Sequence, residues 1–184
     1  MNLSELIKEV KEGSNAAQKC LFDEFSGKLL FICRRYVKSP EDAEELMLNG
    51  FYKFFKTIGT FSYRGDAELF GWIKKIMINE CLMFLRKKNV FTLVSDAEAE
   101  NISLDEDLLD RLSAAEIFNL IVQLPVGYRT VFNLYEIEGI PHKDIAALLG
   151  ISEGTSKSQL SKSKILLQKM LFKKGIHYVK GKSQ

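Results

Sequence analysis

The stretch Ile140-Pro141-His142-Lys143-Asp144-Ile145-Ala146-Ala147-Leu148-Leu149-Gly150-Ile151-Ser152-Glu153-Gly154-Thr155-Ser156-Lys157-Ser158-Gln159-Leu160-Ser161-Lys162 decides the fold of its half of the chain. It reads as two helices joined by a tight turn. Ile145, Ala146, Leu148 and Leu149 give the first helix an apolar face, Gly150 supplies the left-handed residue that ends it, Ile151 fills the corner, and Ser152 caps the next helix. On that second helix Ser156, Leu160, Ser163 and Leu167 recur at helical spacing. This predicts an inward face and turns Lys157, Ser158, Ser161 and Lys162 outward as one surface. Lysines and short hydroxyls suit the major groove of DNA, where they neutralise phosphates and allow close approach; a solvated amphipathic helix is the bland alternative.

Upstream of this segment, helical spacing runs from about Leu108 through Leu112, Ala115, Ile117, Leu120, Ile121 and Leu124 to Pro125. It restarts over Tyr128–Tyr135 and breaks at Gly139-Ile140-Pro141. Residues 89–107 lose periodicity and gather Ser, Asn, Asp and Glu, a composition with too little apolar surface to offset the entropy of ordering, and read as a flexible linker. The N-terminal half holds a short helix on Leu3, Leu6, Ile7 and Val10. A second, opened by Asn15 and Gln18 as a capping box, carries Leu21, Phe22, Phe25, Leu29, Ile32, Cys33 and Tyr36. Ser39-Pro40 starts a third, with Glu41, Asp42, Glu44 and Glu45 at its positive end and an apolar face from Ala43 to Ile58. After a polar loop, Thr60 to Asp66, a fourth runs from Leu69 to Leu85 with Trp72 on its apolar stripe, and ends in Arg86-Lys87-Lys88. No strand-like alternation interrupts the pattern. The expectation is an all-α chain of two small helical domains, 1–88 and 108–174, joined by the linker and followed by a frayed tail over 175–184.

The net charge of +2 hides a division: residues 1–88 carry 15 basic and 12 acidic side chains (+3), 89–113 carry 1 and 7 (−6), and 114–184 carry 10 and 5 (+5). Two basic modules flank an acidic link, a distribution suited to nucleic acid. Cys20, Cys33 and Cys81 form no CxxC pair, and with His142 and His177 they build no zinc spacing, so no metal or cofactor is expected. They read as reduced core thiols of a cytoplasmic protein. No leader is visible at Met1, and no apolar run reaches the roughly 20 residues that span a bilayer.

The chain over about 10–172 resembles bacterial RNA polymerase sigma factors of the extracytoplasmic-function group. The resemblance rests on Ser39-Pro40-Glu41-Asp42-Ala43-Glu44-Glu45-Leu46 with Gly50-Phe51, and on Phe70-Gly71-Trp72-Ile73-Lys74-Lys75-Ile76 with Asn79 and Arg86-Lys87. It continues in Leu124-Pro125-Val126-Gly127-Tyr128-Arg129-Thr130-Val131-Phe132 and in the block from Glu138-Gly139 to Ser161. The wording Gly154-Thr155-Ser156-Lys157-Ser158-Gln159-Leu160-Ser161 is similar to sigma factors common in Bacteroidetes. The resemblance implies a transcription initiation subunit with no catalytic centre and no small-molecule substrate, keeping sigma regions 2 and 4. Its implied partners are core RNA polymerase, through the β and β′ subunits, and promoter DNA; a membrane-anchored anti-sigma protein is a further candidate.

Residue by residue, the resemblance implies that Asp42, Glu44 and Glu45 dock on the clamp coiled coil of β′, although the same carboxylates also stabilise a helix start. It implies a pocket for an unstacked base of the non-template strand, formed by Phe61 to Glu68 together with Asn79. Tyr63, Arg64 and Asn79 would line it, with Lys74, Lys75, Arg86 and Lys87 on nearby phosphates. Lys157, Ser158, Ser161 and Lys162 would contact the upstream promoter element. The chain departs from many relatives in using lysine and serine where arginine and an aromatic are frequent on this helix, Leu48-Asn49 where Gln-Glu is frequent, and Met83 where an acidic residue is frequent. Two other classes compete. A helix-turn-helix repressor or activator with a helical dimerisation or effector domain explains the second module but not the first; an enzyme built on the acidic cluster lacks any accompanying nucleophile or phosphate loop.

Overall fold

The computed structural model describes residues 2–88, 91 and 113–173. Among the described residues all regular structure is helical. The chain divides into two compact units, Met1–Lys87 and Lys88–Gln184.

The first unit comprises α1 (Leu3–Lys11), α2 (Asn15–Tyr36), α3 (Pro40–Thr57), a 3-10 turn (Ile58–Thr60) and α4 (Asp66–Lys87). Helices α2, α3 and α4 pack against one another, and α1 lies on α2 and touches the 3-10 turn. The apolar stripes meet in a core that includes Leu21, Leu29, Cys33, Tyr36, Phe54, Leu69, Ile73 and Met77, each fully removed from solvent. Burying an aliphatic or aromatic side chain contributes about 1.5–3 kcal/mol, far more than any helix propensity term. Gly50 is the point of closest approach between α3 and α4: a Cβ there would overlap Met77 Sδ and lie 2.8 Å from its Cε. At the lower end of the same interface Lys53 Nζ reaches the nearly buried Glu80 carboxylate at 2.5 Å. The start of α2 differs from the expected capping box. Ser14 is the cap, its Oγ accepting the Ala17 N–H at 3.2 Å, because the chain is still extended at Ser14 and already helical at Asn15.

The second unit comprises α5 (Ala114–Ile121), α6 (Val126–Phe132), a single π turn that prolongs α6 (Asn133–Ile137), α7 (His142–Leu149) and α8 (Glu153–Lys173). Ser113 and Glu116 form a reciprocal capping box at the start of α5. The α5–α6 corner is held by Arg129, 2% exposed, whose Nη1 donates to the carbonyls of Val122 and Leu124, both at 3.1 Å. Both carbonyls lie in the corner just past α5, outside the helical ladder. Burial pushes the guanidinium down to about 10, so it is still charged at neutral pH. Gly150 takes the left-handed conformation at φ 68°, ψ 37°, as its place before Ile151 predicts. Ser152 Oγ then accepts the Thr155 N–H at 2.9 Å to open α8.

Of the linker expected over 89–107 only Phe91 is described, and it is buried. Leu108 to Leu112 of the expected helix and the tail at 175–184 lie outside the described residues. Cys33 and Cys81 are core thiols; Cys20 is exposed, because position 20 falls on the outer face of α2. A hydrogen bond between Cys81 and Cys33, reinforced by burial, raises the Cys81 thiol well above its ordinary value and keeps it protonated. Among the described residues no helix is long and apolar enough to cross a membrane.

Candidate nucleic-acid interface

Three surfaces carry the residues expected to act. At the start of α3 the Ser39 Oγ accepts the Asp42 N–H at 3.0 Å and donates to Glu41 at 2.8 Å. A backbone hydrogen bond, then the Ser39 hydroxyl, holds the Glu41 carboxyl below its usual range. Asp42 is half-buried; Glu44 and Glu45 are exposed. The same outer stripe continues at helical spacing through Leu48, 54% exposed, and Tyr52, 67% exposed. Tyr52 was missed in the sequence. Its only signal there is that it falls between the apolar positions Phe51 and Phe54 and off their face.

The second surface is the loop 61–65 with α4. The Phe61 ring lies parallel to Trp72, 4.7 Å away at 5°, and Trp72 meets Phe54 at 5.2 Å. Trp72 thus spans core and loop rather than belonging to the core alone. The Tyr63 hydroxyl donates to Asp66, which raises the phenol above its ordinary value. Arg64 is exposed, and Gly65 adopts φ +150°, a conformation that side chains rarely take. On α4, Lys75, Asn79, Met83 and Arg86 follow one another at threes and fours along an exposed stripe, with Lys87 beside them and Lys74 half-buried at the edge. Asn79 stands thirteen residues beyond Asp66 in one continuous helix. At 1.5 Å per residue that is about 20 Å, longer than a base. The Tyr63 hydroxyl, held at Asp66, and Asn79 thus stand toward different parts of α4, with Phe61 of the same loop lying on Trp72 between them.

The third surface is α8. Lys157 is exposed and ion-paired with Glu153 at 2.7 Å, a bond that lowers the Glu153 carboxyl. Ser156, Leu160, Ser163 and Leu167 face inward as expected. Ser158 and Ser161 do not point out: they are 4% and 9% exposed. A serine side chain ends one atom past Cβ and is covered where a lysine reaches past its neighbours, so hydroxyls on this helix are poor indicators of the outer face. Lys162 is half-buried. Behind the helix, His142 Nδ1 lies 2.8 Å from Ser156 Oγ and its ring stacks on Tyr135 at 4.3 Å. Burial, helped by Lys157, lowers the imidazole below its ordinary value of 6.5. Lys164 clamps Glu136 of the π turn at 2.7 Å. The assembly is a helix-turn-helix whose second helix is braced from behind and offers lysine outward.

Residues 21–90 match the family described as Sigma-70 region 2, and residues 114–167 match Sigma-70, region 4. The two matches fall on the two units, and the chain belongs to the sigma-70 family of RNA polymerase sigma factors. It is similar to the RNA polymerase sigma-H factor of Pseudomonas aeruginosa, 26% identical over 181 residues that span 91% of this chain and 92% of the relative. It is also similar to the ECF RNA polymerase sigma-E factors of Haemophilus influenzae (24% over 176 residues; 89% and 92% covered) and Escherichia coli K12 (27% over 172 residues; 86% and 88% covered). Within the family the chain is thus a sigma factor of the extracytoplasmic-function type, one that directs core RNA polymerase to promoters. Among solved structures, CnrH in complex with the cytosolic domain of CnrY aligns over 91% of this chain and 96% of that one, at 17% identity and a TM-score of 0.47, a likeness too loose to carry function.

Proposed function

We propose that the first unit docks on the β′ subunit through Asp42, Glu44 and Glu45 and threads the non-template strand along α4, while the second unit reads the upstream element through Lys157 and Lys162. The observation that carries this reading is the α4 stripe. Lys75 on one side and Arg86 and Lys87 on the other flank Asn79 and Met83, groups able to meet a base, over a length of several nucleotides, and the loop carrying Tyr63 and Arg64 precedes the helix. Cations along a strand and side chains on which bases stack are what single-strand binding needs. The chemistry of RNA synthesis then belongs wholly to the polymerase. Domain limits of 1–88 and 108–174, with an acidic linker over 89–107, follow the composition, and the Gly154–Ser161 wording supports a Bacteroidetes-type lineage. A membrane-anchored anti-sigma protein would hold the factor in the cytoplasm.

The docking part is tested by reversing charge at the half-buried Asp42 and the exposed Glu45. The Asp42→Lys/Glu45→Lys double variant should lose competition for core polymerase against the parent while its circular dichroism stays nearly unchanged. Equal competition would place the docking surface elsewhere.

A further inference from the structure

We propose that Lys11, at the end of α1, is a positioning residue for the loop between α3 and α4 and thereby for reading the downstream promoter element. The proposal rests on the assignment of that loop to the single-strand contact. Lys11 Nζ donates to the Phe61 carbonyl at 2.6 Å, across fifty residues of sequence. The donor comes from a fixed platform, because Leu6, Ile7 and Val10 bury α1 against the first unit and α1 also packs on the 3-10 turn just before Phe61.

Phe61 is then held at each of its groups: its N–H donates to the Ile58 carbonyl at 3.0 Å, its carbonyl accepts from Lys11, and its ring lies on Trp72. The far end of the loop is tied as well, by the Tyr63–Asp66 hydrogen bond and by the Leu69 N–H on the Gly65 carbonyl at 3.1 Å. Ser62 and Arg64 are the loop residues left exposed between these two anchors. A loop already ordered at both ends presents Arg64 to the strand without losing backbone freedom at the moment of binding. Lys11 thus acts through Phe61 and touches no DNA itself, which separates it from the phosphate-binding lysines of α4.

The test uses full-length protein assembled with core polymerase, and a fluorescent base analogue at the downstream element that brightens on unstacking. Lys11→Met keeps the chain length and removes the donor; Lys11→Arg restores a donor. Lys11→Met should slow opening of duplex promoter about threefold to tenfold, the size of one hydrogen bond, and Lys11→Arg should recover most of it. The salt dependence should be unchanged, and the amides of 62–64 should exchange faster in Lys11→Met. A salt slope reduced by about 1 would make Lys11 a direct phosphate contact and overturn the positioning role. Normal opening with Lys11→Met, beside impaired opening with Arg64→Ala, overturns this proposal and leaves the loop assignment standing. Normal opening with both Tyr63→Ala and Arg64→Ala removes the loop assignment and the proposal together.

Discussion

Replacing Gly50 with alanine should destabilise the first unit, although alanine is the better helix former. In an unobstructed helix interior the exchange stabilises by about 0.5–1 kcal/mol. At position 50 the new methyl overlaps Met77 Sδ and lies 2.8 Å from Cε, and Met77 is fully buried in the α3–α4 interface, so its side chain has no solvent to move into. Overpacking of this kind costs about 1–3 kcal/mol, leaving a net loss of up to about 2.5 kcal/mol. Gly27 on α2 supplies the control, because a Cβ there meets nothing within 4 Å and Gly27→Ala should stabilise. Trp72 is the single tryptophan and lies in the first unit, so its fluorescence during urea unfolding reports that unit alone. Adding Met77→Ala to Gly50→Ala should cost less than the two single losses combined, by at least about 0.5 kcal/mol, because the new methyl occupies part of the vacated space. If Gly50→Ala raises the unfolding midpoint as Gly27→Ala does, the two helices do not approach at Gly50 and the packing described for the core is wrong.

Two further outcomes are expected in the second unit. The lowered His142 value means that the unfolded chain binds the proton more readily, so the stability this group contributes is complete above about pH 6.5 and is lost as pH falls through the lower folded value. His142→Gln should flatten that slope, and the imidazole resonance of His142 should titrate below its ordinary value of 6.5; a titration at or above 6.5 would refute the half-buried neutral ring. On α8, Lys162→Ala should weaken promoter binding alike across upstream-element variants and reduce the salt slope by about 1, whereas Lys157→Ala should cost roughly 1–3 kcal/mol and relax preference at one position. Unchanged transcription with both substitutions would remove α8 from the DNA interface.

Local chemistry was readable in the sequence. Ser39, Ser152 and Gly150 sit at their caps because each satisfies a helix end within four residues of itself, and the inward stripe of α8 follows from spacing alone. What depends on distant partners was not. Arg129 reads as one more helical residue until the α5–α6 corner brings the Val122 and Leu124 carbonyls to it. Lys11 carries no signal of its bond to Phe61. Spacing divides a helix into faces but does not say how much of each is covered, which is why Ser158 and Ser161 were placed outside. The expected single pocket joined Tyr63 and Asn79 on the resemblance alone; their spacing in the sequence does not say how far along a continuous α4 they stand.

The π turn at Asn133–Ile137 makes the second unit sensitive to chain length at one place. A π turn is a helix carrying one residue more than regular winding accommodates. Deleting one residue there would let α6 run on as ordinary helix and would move the side chains of the turn to new places on its surface. Tyr135 would lose its place on His142 and Glu136 its place on Lys164. The count of residues in this turn therefore decides whether α8 keeps its two braces, and a deletion that touches no residue of α8 would remove both.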